Sequence, residues 1–352
     1  MEPDAKEAKQ VSDKIDAELR REAQLKQQAP KGPKLVLLGS GDSGKSTVLK
    51  QLKILHGQGF TDDDRLAFRF KVRANLLDAA RMLVSFLESN GIEFEHSENK
   101  LHAQAVQQFV LDCNLPDSIV NSIRLLWNDA GIQEAAKRAN ELPEYLYTSE
   151  YFLNNIDRCA SSDYIPTDDD ILRVRNRTVE ITETKFTIEN KVYTFFDVGG
   201  QRSLRHFWAP YFSDDLSAII FVAALSSYDQ FLLEDAEVNR MTDAISLFGS
   251  VCNNKLIQKS AIILFLNKVD LFKSKIESGT SPVEKYFPEY TPRDFKETGA
   301  WFKNKFHEQK RNKNRQIFTH FTTGTDTRNM QAIIAAVKDI VMKNALTSLG
   351  MI

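Results

Sequence analysis

Residues 34–50 read KLVLLGSGDSGKSTVLK, and the fold turns on how they are taken. KLVLL, at 34–38, is a short apolar run of the kind a buried strand uses. KSTVLKQLKIL, at 45–55, carries helical spacing. Between them lies GSGDSGKST, residues 39–47, in which Gly39, Gly44, Lys45 and Ser46 satisfy G-x-x-x-x-G-K-[ST]. Glycines let the backbone curl until several N–H groups face phosphate oxygens, and the following helix adds its positive N-terminal end. Lys45 can reach the β- and γ-phosphates, and the Ser46 hydroxyl can ligate Mg²⁺. A chance match is the alternative; the strand–loop–helix setting argues against it. The motif alone leaves ATP and GTP both open, and equally a kinase and a switch.

Working outward, residues 1–28 read as one charged helix with a narrow stripe of Val11, Ile15 and Leu19. Such a stripe is too thin for a core helix, which leaves a solvated rod or a partner's docking site. APKGPK at 29–34 then breaks it. From about 60 to 170 the chain is almost wholly helical. Thr61 and Asp64 form a capping-box pattern opening a long helix. Leu66, Phe70, Leu76, Leu77, Leu83 and Leu87 give it an apolar face, and Asn90-Gly91 ends it. Weaker helices follow around 100–112, 117–129, 132–139 and 149–158. After 170 the strands return. KFTIEN and KVYTFFDV make a hairpin turning near Asn190, and SAIIFVAAL, SAIILFLN and QIFTHFTT are apolar strands separated by helical stretches. MQAIIAAVKDIVMKNAL, at 330–346, is an amphipathic helix. The class is therefore α/β, a mostly parallel sheet covered on both faces. An all-helical unit at 61–170 is inserted after the first helix, between residues 34–60 and 171–352, with 1–33 as helix and linker.

Composition narrows the function. The 352 residues are 42% apolar, enough for one or two cores, and the net charge of −2 offers no basic patch for nucleic acid. The longest apolar runs, such as AIIFVAAL at 218–225, fall well short of the roughly 18 residues of a membrane span. The opening MEPDAKEAKQ is no secretory signal. Cys113, Cys159 and Cys252 lie far apart without metal spacing, which suits buried, inert thiols in a reducing cytoplasm.

Two further motifs stand in register with the glycine loop. FLNKVD, at 265–270, places Asn267, Lys268 and Asp270 at the end of a strand, where ligands of open α/β sheets sit. A carboxylate at Asp270 can accept from both N1–H and the 2-amino group of guanine, and adenine offers neither. The Lys268 stem can lie along the base while Asn267 orients the loop. FFDVGGQR, at 195–202, ends a strand at Asp197, placed to hold Mg²⁺ through water. Gly200 has no side chain, so its N–H can approach a γ-phosphate; that contact vanishes with the diphosphate, which makes a switch. Gln201 is next and can orient the attacking water.

At this point the chain resembles the α subunits of heterotrimeric G proteins. The resemblance runs over nearly the whole length. It rests on GSGDSGKST, ILRVRNRT (171–178), DVGGQRS (197–203), FLNKVD, TTGTDT (322–327) and the helical insertion that small GTPases lack. It implies a Ras-like P-loop GTPase domain, with a six-stranded mostly parallel sheet, carrying an inserted all-helical domain. It implies a signalling switch that binds GDP or GTP with Mg²⁺ and hydrolyses GTP slowly, on the order of 10⁻² s⁻¹. Arg175 takes the part of the built-in arginine finger, Thr178 of the switch I Mg²⁺ ligand, and Gln201 of the catalytic glutamine. The Gly324 N–H would meet the guanine carbonyl. The resemblance fills out the nucleotide contacts with Ser40, Gly41, Asp42, Ser43 and Thr47 of the loop. It adds Thr148, then Leu172, Arg173 and Val174, then Val198 and Gly199. Implied partners are a βγ dimer, a receptor at the C-terminal tail, an effector at switch II and a GTPase-accelerating regulator. In the tail LTSLGMI, Leu346, Leu349, Met351 and Ile352 are apolar, and plain packing is the competing reading there. Without the resemblance, Arg175 is one of three arginines in a solvated loop.

Departures from the family pattern carry their own expectations. Glu2 and Pro3 close the route to N-myristoylation, and no cysteine precedes Cys113. Stable anchoring takes two signals, so we expect a cytoplasmic protein brought to membranes by partners. Switch II reads SLRHFWAPYF (203–212), in which Leu204, His206 and Phe207 replace charge, so βγ binding should be weak or altered. Val179 and Glu180 replace small residues where regulators pack. Asp42 replaces a longer glutamate that reaches the arginine finger, Tyr147 an acid opposite Lys268, and Gly324 an alanine. A weaker clasp would release GDP fast; a well-packed Tyr147 would compensate. Two other classes fit less well. A non-hydrolysing scaffold is disfavoured by Arg175, Thr178 and Gln201 together, and a metabolic kinase by Asp270 and the absence of a substrate-base motif.

Overall fold

β1, Lys34–Leu38, holds the middle of the sheet, and Leu35 to Leu38 are all fully buried. A strand buried on both faces reads as a continuous apolar run rather than an alternating one. This is a computed structural model, and it describes residues 32–138, 147–176, 178, 180–213 and 215–348. The helix expected around Val11, Ile15 and Leu19 lies outside the described residues. So do the Tyr147 side chain, Val179, and Leu349, Met351 and Ile352 of the tail.

After β1 the chain enters α1, Lys45–His56, and then α2, Asp62–Ser89. Thr61 and Asp64 form the reciprocal capping box, and the helix ends at Asn90-Gly91 with Gly91 at φ +64°. At 28 residues α2 is about 42 Å long. Its core face begins only at Val72 and runs through Leu76, Leu77, Leu83 and Leu87. Leu66 and Phe70, expected on that face, are instead 44% and 47% exposed; in these first turns Phe68 packs on the core and Arg65 bonds Pro166 and Asp168, so a different side faces inward. The helices that pack on α2 are α3 (Asn99–Gln108), α4 (Asp117–Trp127), α5 (Ala130–Lys137), α6 (Tyr147–Asn154), α7 (Ile156–Ala160) and α8 (Asp168–Arg173). They share one core that includes Ile123, Phe152 and Val174. Buried Arg73 crosses it and donates to the carbonyls of Cys159, Cys113 and Ser161. Cys159 and Cys252 are buried as expected. Cys113 is exposed: it lies in the loop between α3 and α4 and not in the core.

The remainder completes the sheet. β2 (Thr182–Ile188) pairs antiparallel with β3 (Lys191–Asp197), and the hairpin turns on Glu189 and Asn190, both at positive φ. A 3₁₀ segment, Arg202–Tyr211, leads to β4 (Leu216–Ala224). Then come α9 (Arg240–Cys252), β5 (Ala261–Asn267), α10 (Val269–Ser278), α11 (Phe295–Glu308), β6 (Ile317–Phe321) and α12 (Thr327–Ser348). The strand order is β2-β3-β1-β4-β5-β6, with every pair except β2·β3 parallel. Leu35 and Leu37 face one layer, with Val48 and Leu52 of α1 and Met330 and Val337 of α12. Val36 and Leu38 face the other, with Phe248, Phe272, Phe302 and Phe306. The chain leaves β1 toward β3 on one side and β4 on the other. A crevice therefore opens at the carboxyl ends of the strands, at the point where the order reverses. The six-stranded, mostly parallel sheet with its helical insertion is the architecture expected from the sequence.

Candidate functional site

The loop between β1 and α1 is shaped by backbone that side chains would obstruct. Gly39 and Gly44 have φ of +138° and +102°. A Cβ on Gly39 would lie 2.1 Å from the Val222 carbonyl oxygen, and one on Gly44 2.2 Å from Asn267 Nδ2. Gly44 caps α1 without any side-chain bond, so the first N–H groups of this twelve-residue helix face the cleft. Lys45 is buried and donates to the carbonyls of Gly39 and Ser40 at 3.0 and 2.9 Å, and burial lowers it to about 8.

The base loop is built from β5 and β6. Asn267 ends β5; its Nδ2 donates to the Ser43 carbonyl, and its Oδ1 accepts from the Thr322 hydroxyl and the Gly324 N–H. One side chain thus ties three loops together. Lys268 takes the left-handed region at φ +59°, and burial lowers it to about 8. Asp270 lies in the first turn of α10 and is exposed at the cleft. Gly324 lines the cleft beside this loop. Its N–H is engaged by Asn267, and its carbonyl accepts from Gln51 Nε2 at 2.9 Å, so the loop is tied on both sides. A Cβ at Gly324 would make only ordinary contacts, the nearest at 3.4 Å.

Asp197 closes β3 beside β1, in register with Leu37. Its Oδ2 accepts from the Ser46 hydroxyl at 2.9 Å, and Ser46 Oγ lies 2.8 Å from Thr178 Oγ1. Its Oδ1 is buried without a partner, and burial raises the carboxyl. Three hard oxygen donors around one orphaned carboxylate oxygen fit a small divalent cation such as Mg²⁺. Gly200 follows; a Cβ there would lie 2.4 Å from both the Gly39 carbonyl oxygen and Lys45 Nζ. Gln201 lies beside Gly41. Trp208 is buried and donates to the Gly199 carbonyl, and Arg205 bridges the Gly200 carbonyl to Asp243.

Across the cleft, Arg175 turns its guanidinium to Asp42, Nε to Oδ1 at 3.2 Å and Nη2 to Oδ2 at 3.1 Å. Burial opposes the Asp42 charge, but Arg175, Arg240 and Lys268 outweigh it and hold the carboxyl at about 2. The shorter aspartate therefore does reach the arginine.

One cleft brings together Gly41, Asp42, Ser43, Gly44, Lys45, Ser46 and Thr47 with Thr148, Leu172, Arg173, Val174, Arg175 and Thr178. Gly200, Gln201, Asn267, Lys268, Asp270 and Gly324 line it too. Gly39, Ser40 and Asp197 bond Lys45 and Ser46 of that lining, and Val198 and Gly199 follow Asp197 in the chain. Lys50, Asn75 and Arg240 were not read from the sequence. Lys50 donates to the carbonyls of Ile171 and Val174, Asn75 pairs with the Arg175 backbone, and Arg240 donates to the Gly41 carbonyl. The helical phase of α1 puts Lys50 one turn beyond Ser46. Asn75 and Arg240 come from distant elements, and no local signal marks them.

A phosphate loop at the switch point of such a sheet, facing an N-K-x-D loop, defines a P-loop GTP-binding protein. The chain matches the family described as G-protein alpha subunit over residues 9–341. It is 40% identical to a guanine nucleotide-binding protein subunit alpha of Emericella nidulans, over 100% of this chain and 99% of that one. It is 40% identical to a guanine nucleotide-binding protein alpha-16 subunit of Caenorhabditis briggsae, over 97% and 96%. It is 39% identical to a G-protein complex alpha subunit of Aspergillus fumigatus, over 100% and 99%. The chain belongs to the G-protein alpha subunit family: it is a guanine-nucleotide-binding GTPase that serves as a signalling switch. Among the described residues, no helix is long and apolar enough to cross a membrane.

Proposed function

We propose that the cleft holds GDP or GTP with Mg²⁺, and that Arg175 and Gln201 are the hydrolytic pair. The observation that carries this is Gly200, packed so tightly on Gly39 and Lys45 that only glycine fits. The segment bearing Gln201 is thereby pressed against the phosphate cradle. Lys45 and the N–H groups of α1 bind the β- and γ-phosphates. Ser46 and Thr178 would ligate Mg²⁺ and Asp197 would hold it through water, where it would supply charge neutralisation at the phosphates. Gln201 orients the attacking water, and Arg175 leaves Asp42 to stabilise charge on the transferring γ-phosphoryl group. Asp270 selects guanine.

Partner roles belong to the same reading. The tail contacts a receptor, the 3₁₀ segment with its exposed Phe207 contacts an effector, and βγ binding is weak or altered. Exposed Glu180 screens GTPase-accelerating regulators. The boundaries 1–33, 34–60 with 171–352, and 61–170 are those we assign. Spontaneous GDP release outpaces hydrolysis, because the sequence carries tyrosine at 147 where the family carries an acid opposite the lysine that Lys268 matches.

Asp270→Asn tests the site. Xanthine carries a carbonyl where guanine has its 2-amino group, so an amide in place of the carboxylate favours it. The variant should load xanthosine triphosphate in preference to GTP. Unchanged preference would refute the assignment.

A further inference from the structure

Asn75 lies on α2, between the fully buried Val72 and Leu76, and it is only half-buried itself. Its side-chain amide faces the backbone of Arg175, a hundred residues on. Oδ1 accepts from the Arg175 N–H at 2.6 Å, and Nδ2 donates to the Arg175 carbonyl at 3.3 Å. A primary amide offers one donor and one acceptor side by side, so it meets one residue's backbone as a neighbouring strand would. No bond to the Arg175 side chain is involved; that side chain goes to Asp42.

The neighbouring residues show what the contact fixes. Val174 is buried in the helical core, at the end of α8. Its carbonyl and that of Ile171 accept from Lys50 Nζ, on α1, at 3.0 and 2.8 Å. The chain up to Val174 is thus held by the helical core and by α1. Arg175 is the next residue, and Asn75 holds it from the helical side. Beyond it the chain runs to Thr178, beside Ser46. The Arg175 Cα is therefore placed by α2, and its guanidinium swings from a root that Asn75 fixes.

We infer that Asn75 is a positioning residue for GTP hydrolysis: it sets the root from which Arg175 reaches the γ-phosphate. The inference rests on the reading of Arg175 as the residue that stabilises transferring charge. It goes further by making that reach depend on a helical-domain side chain that touches no nucleotide. Misplacement of a reacting group by about 1 Å can cost up to a hundredfold in rate.

The test uses the full chain with Asn75→Ala, Asn75→Asp and Arg175→Ala. Single-turnover GTP hydrolysis is measured beside Trp208 fluorescence with two probes, GTPγS and Mg²⁺-GDP-aluminium fluoride. The first reports binding and switching; the second mimics the transferring phosphoryl group and needs the arginine in place. Asn75→Ala should slow hydrolysis about tenfold and weaken the fluoride response, with the GTPγS response intact. Asn75→Asp keeps the acceptor for the Arg175 N–H and should recover much of the rate. Wild-type hydrolysis in Asn75→Ala, with Arg175→Ala slow, overturns the inference and leaves the arginine reading standing. Fast hydrolysis in Arg175→Ala overturns that reading and the inference with it. Loss of the GTPγS response in both Asn75 variants assigns a merely structural role and also overturns it. Should Asn75→Ala fail to fold, Asn75→Asp decides: it must retain the fluoride response and most of the rate.

Discussion

Asp42 and Arg175 form a two-point ion pair that joins the phosphate loop to the segment leaving the helical insertion. The pair is about one-fifth exposed on each side, and Arg240 supports the same loop through the Gly41 carbonyl. It closes the cleft over whatever lies on Lys45, and it holds the arginine within reach of the phosphates.

Cutting that pair should open the cleft. Hydrogen bonds to charged groups contribute about 1.5–3 kcal/mol, and about 1.4 kcal/mol is a factor of ten. Asp42→Ala should therefore speed release of a fluorescent GDP analogue by roughly tenfold. Asp42→Glu, which keeps both acceptors, should stay within about threefold of the parent. Equal release rates in all three proteins would show that the pair does not hold the cleft shut.

Gly200 allows an equally sharp expectation. A Cβ there would meet Lys45 Nζ and the Gly39 carbonyl oxygen at 2.4 Å. Gly200→Ala must push the loop off the phosphate cradle. It should bind GDP with near-parental affinity and fail to give the Trp208 fluorescence change on GTPγS loading. A normal GTPγS response would mean the contact is not part of the switch.

Asp170 supplies a pH dependence. It is fully buried and accepts from Arg158 twice, from the Tyr151 hydroxyl and from the Thr167 N–H. Burial pushes the carboxyl up, but Arg158, Thr167 and Tyr151 outweigh it, so the group sits below the ordinary carboxylate range. A carboxyl held low in the folded state contributes stability that is complete above its unfolded value, about 3.9. That contribution is lost as pH falls through the folded value. Asp170→Asn should cost about 2–3 kcal/mol at neutral pH, less than a fully enclosed pair because Arg158 is half open to solvent. The difference between the two proteins in thermal or urea unfolding should narrow below about pH 4. A constant difference down to pH 2 would contradict the assignment.

Local chemistry decided which parts of the molecule were legible in the sequence. KLVLL, GSGDSGKST and FLNKVD each combine a strand with a loop whose residue types leave few alternatives. The Thr61–Asp64 cap was readable for the same reason. Leu66 and Phe70 misled because periodicity reports a helix face but not whether anything packs on it. Cys113 misled because composition says nothing of burial. Asn75 and Arg240 were invisible because their roles depend on partners far along the chain. The ties of Gly324 to Gln51 and Asn267 were invisible for a similar reason, since they exist only in three dimensions.

Trp208 provides the most direct test of the central claim. It is buried against the Gly199 carbonyl, next to the two residues the switch depends on. Mg²⁺-GTP is added to the wild-type chain, Arg175→Ala and Gln201→Leu, and fluorescence and phosphate release are followed in one single-turnover reaction. In the wild type the signal should rise on loading and decay with phosphate release, on the order of 10⁻² s⁻¹. In both variants it should rise equally and persist. Decay at the wild-type rate in either variant, or no rise at all, would contradict the assignment of Arg175 and Gln201 as the pair that times this switch.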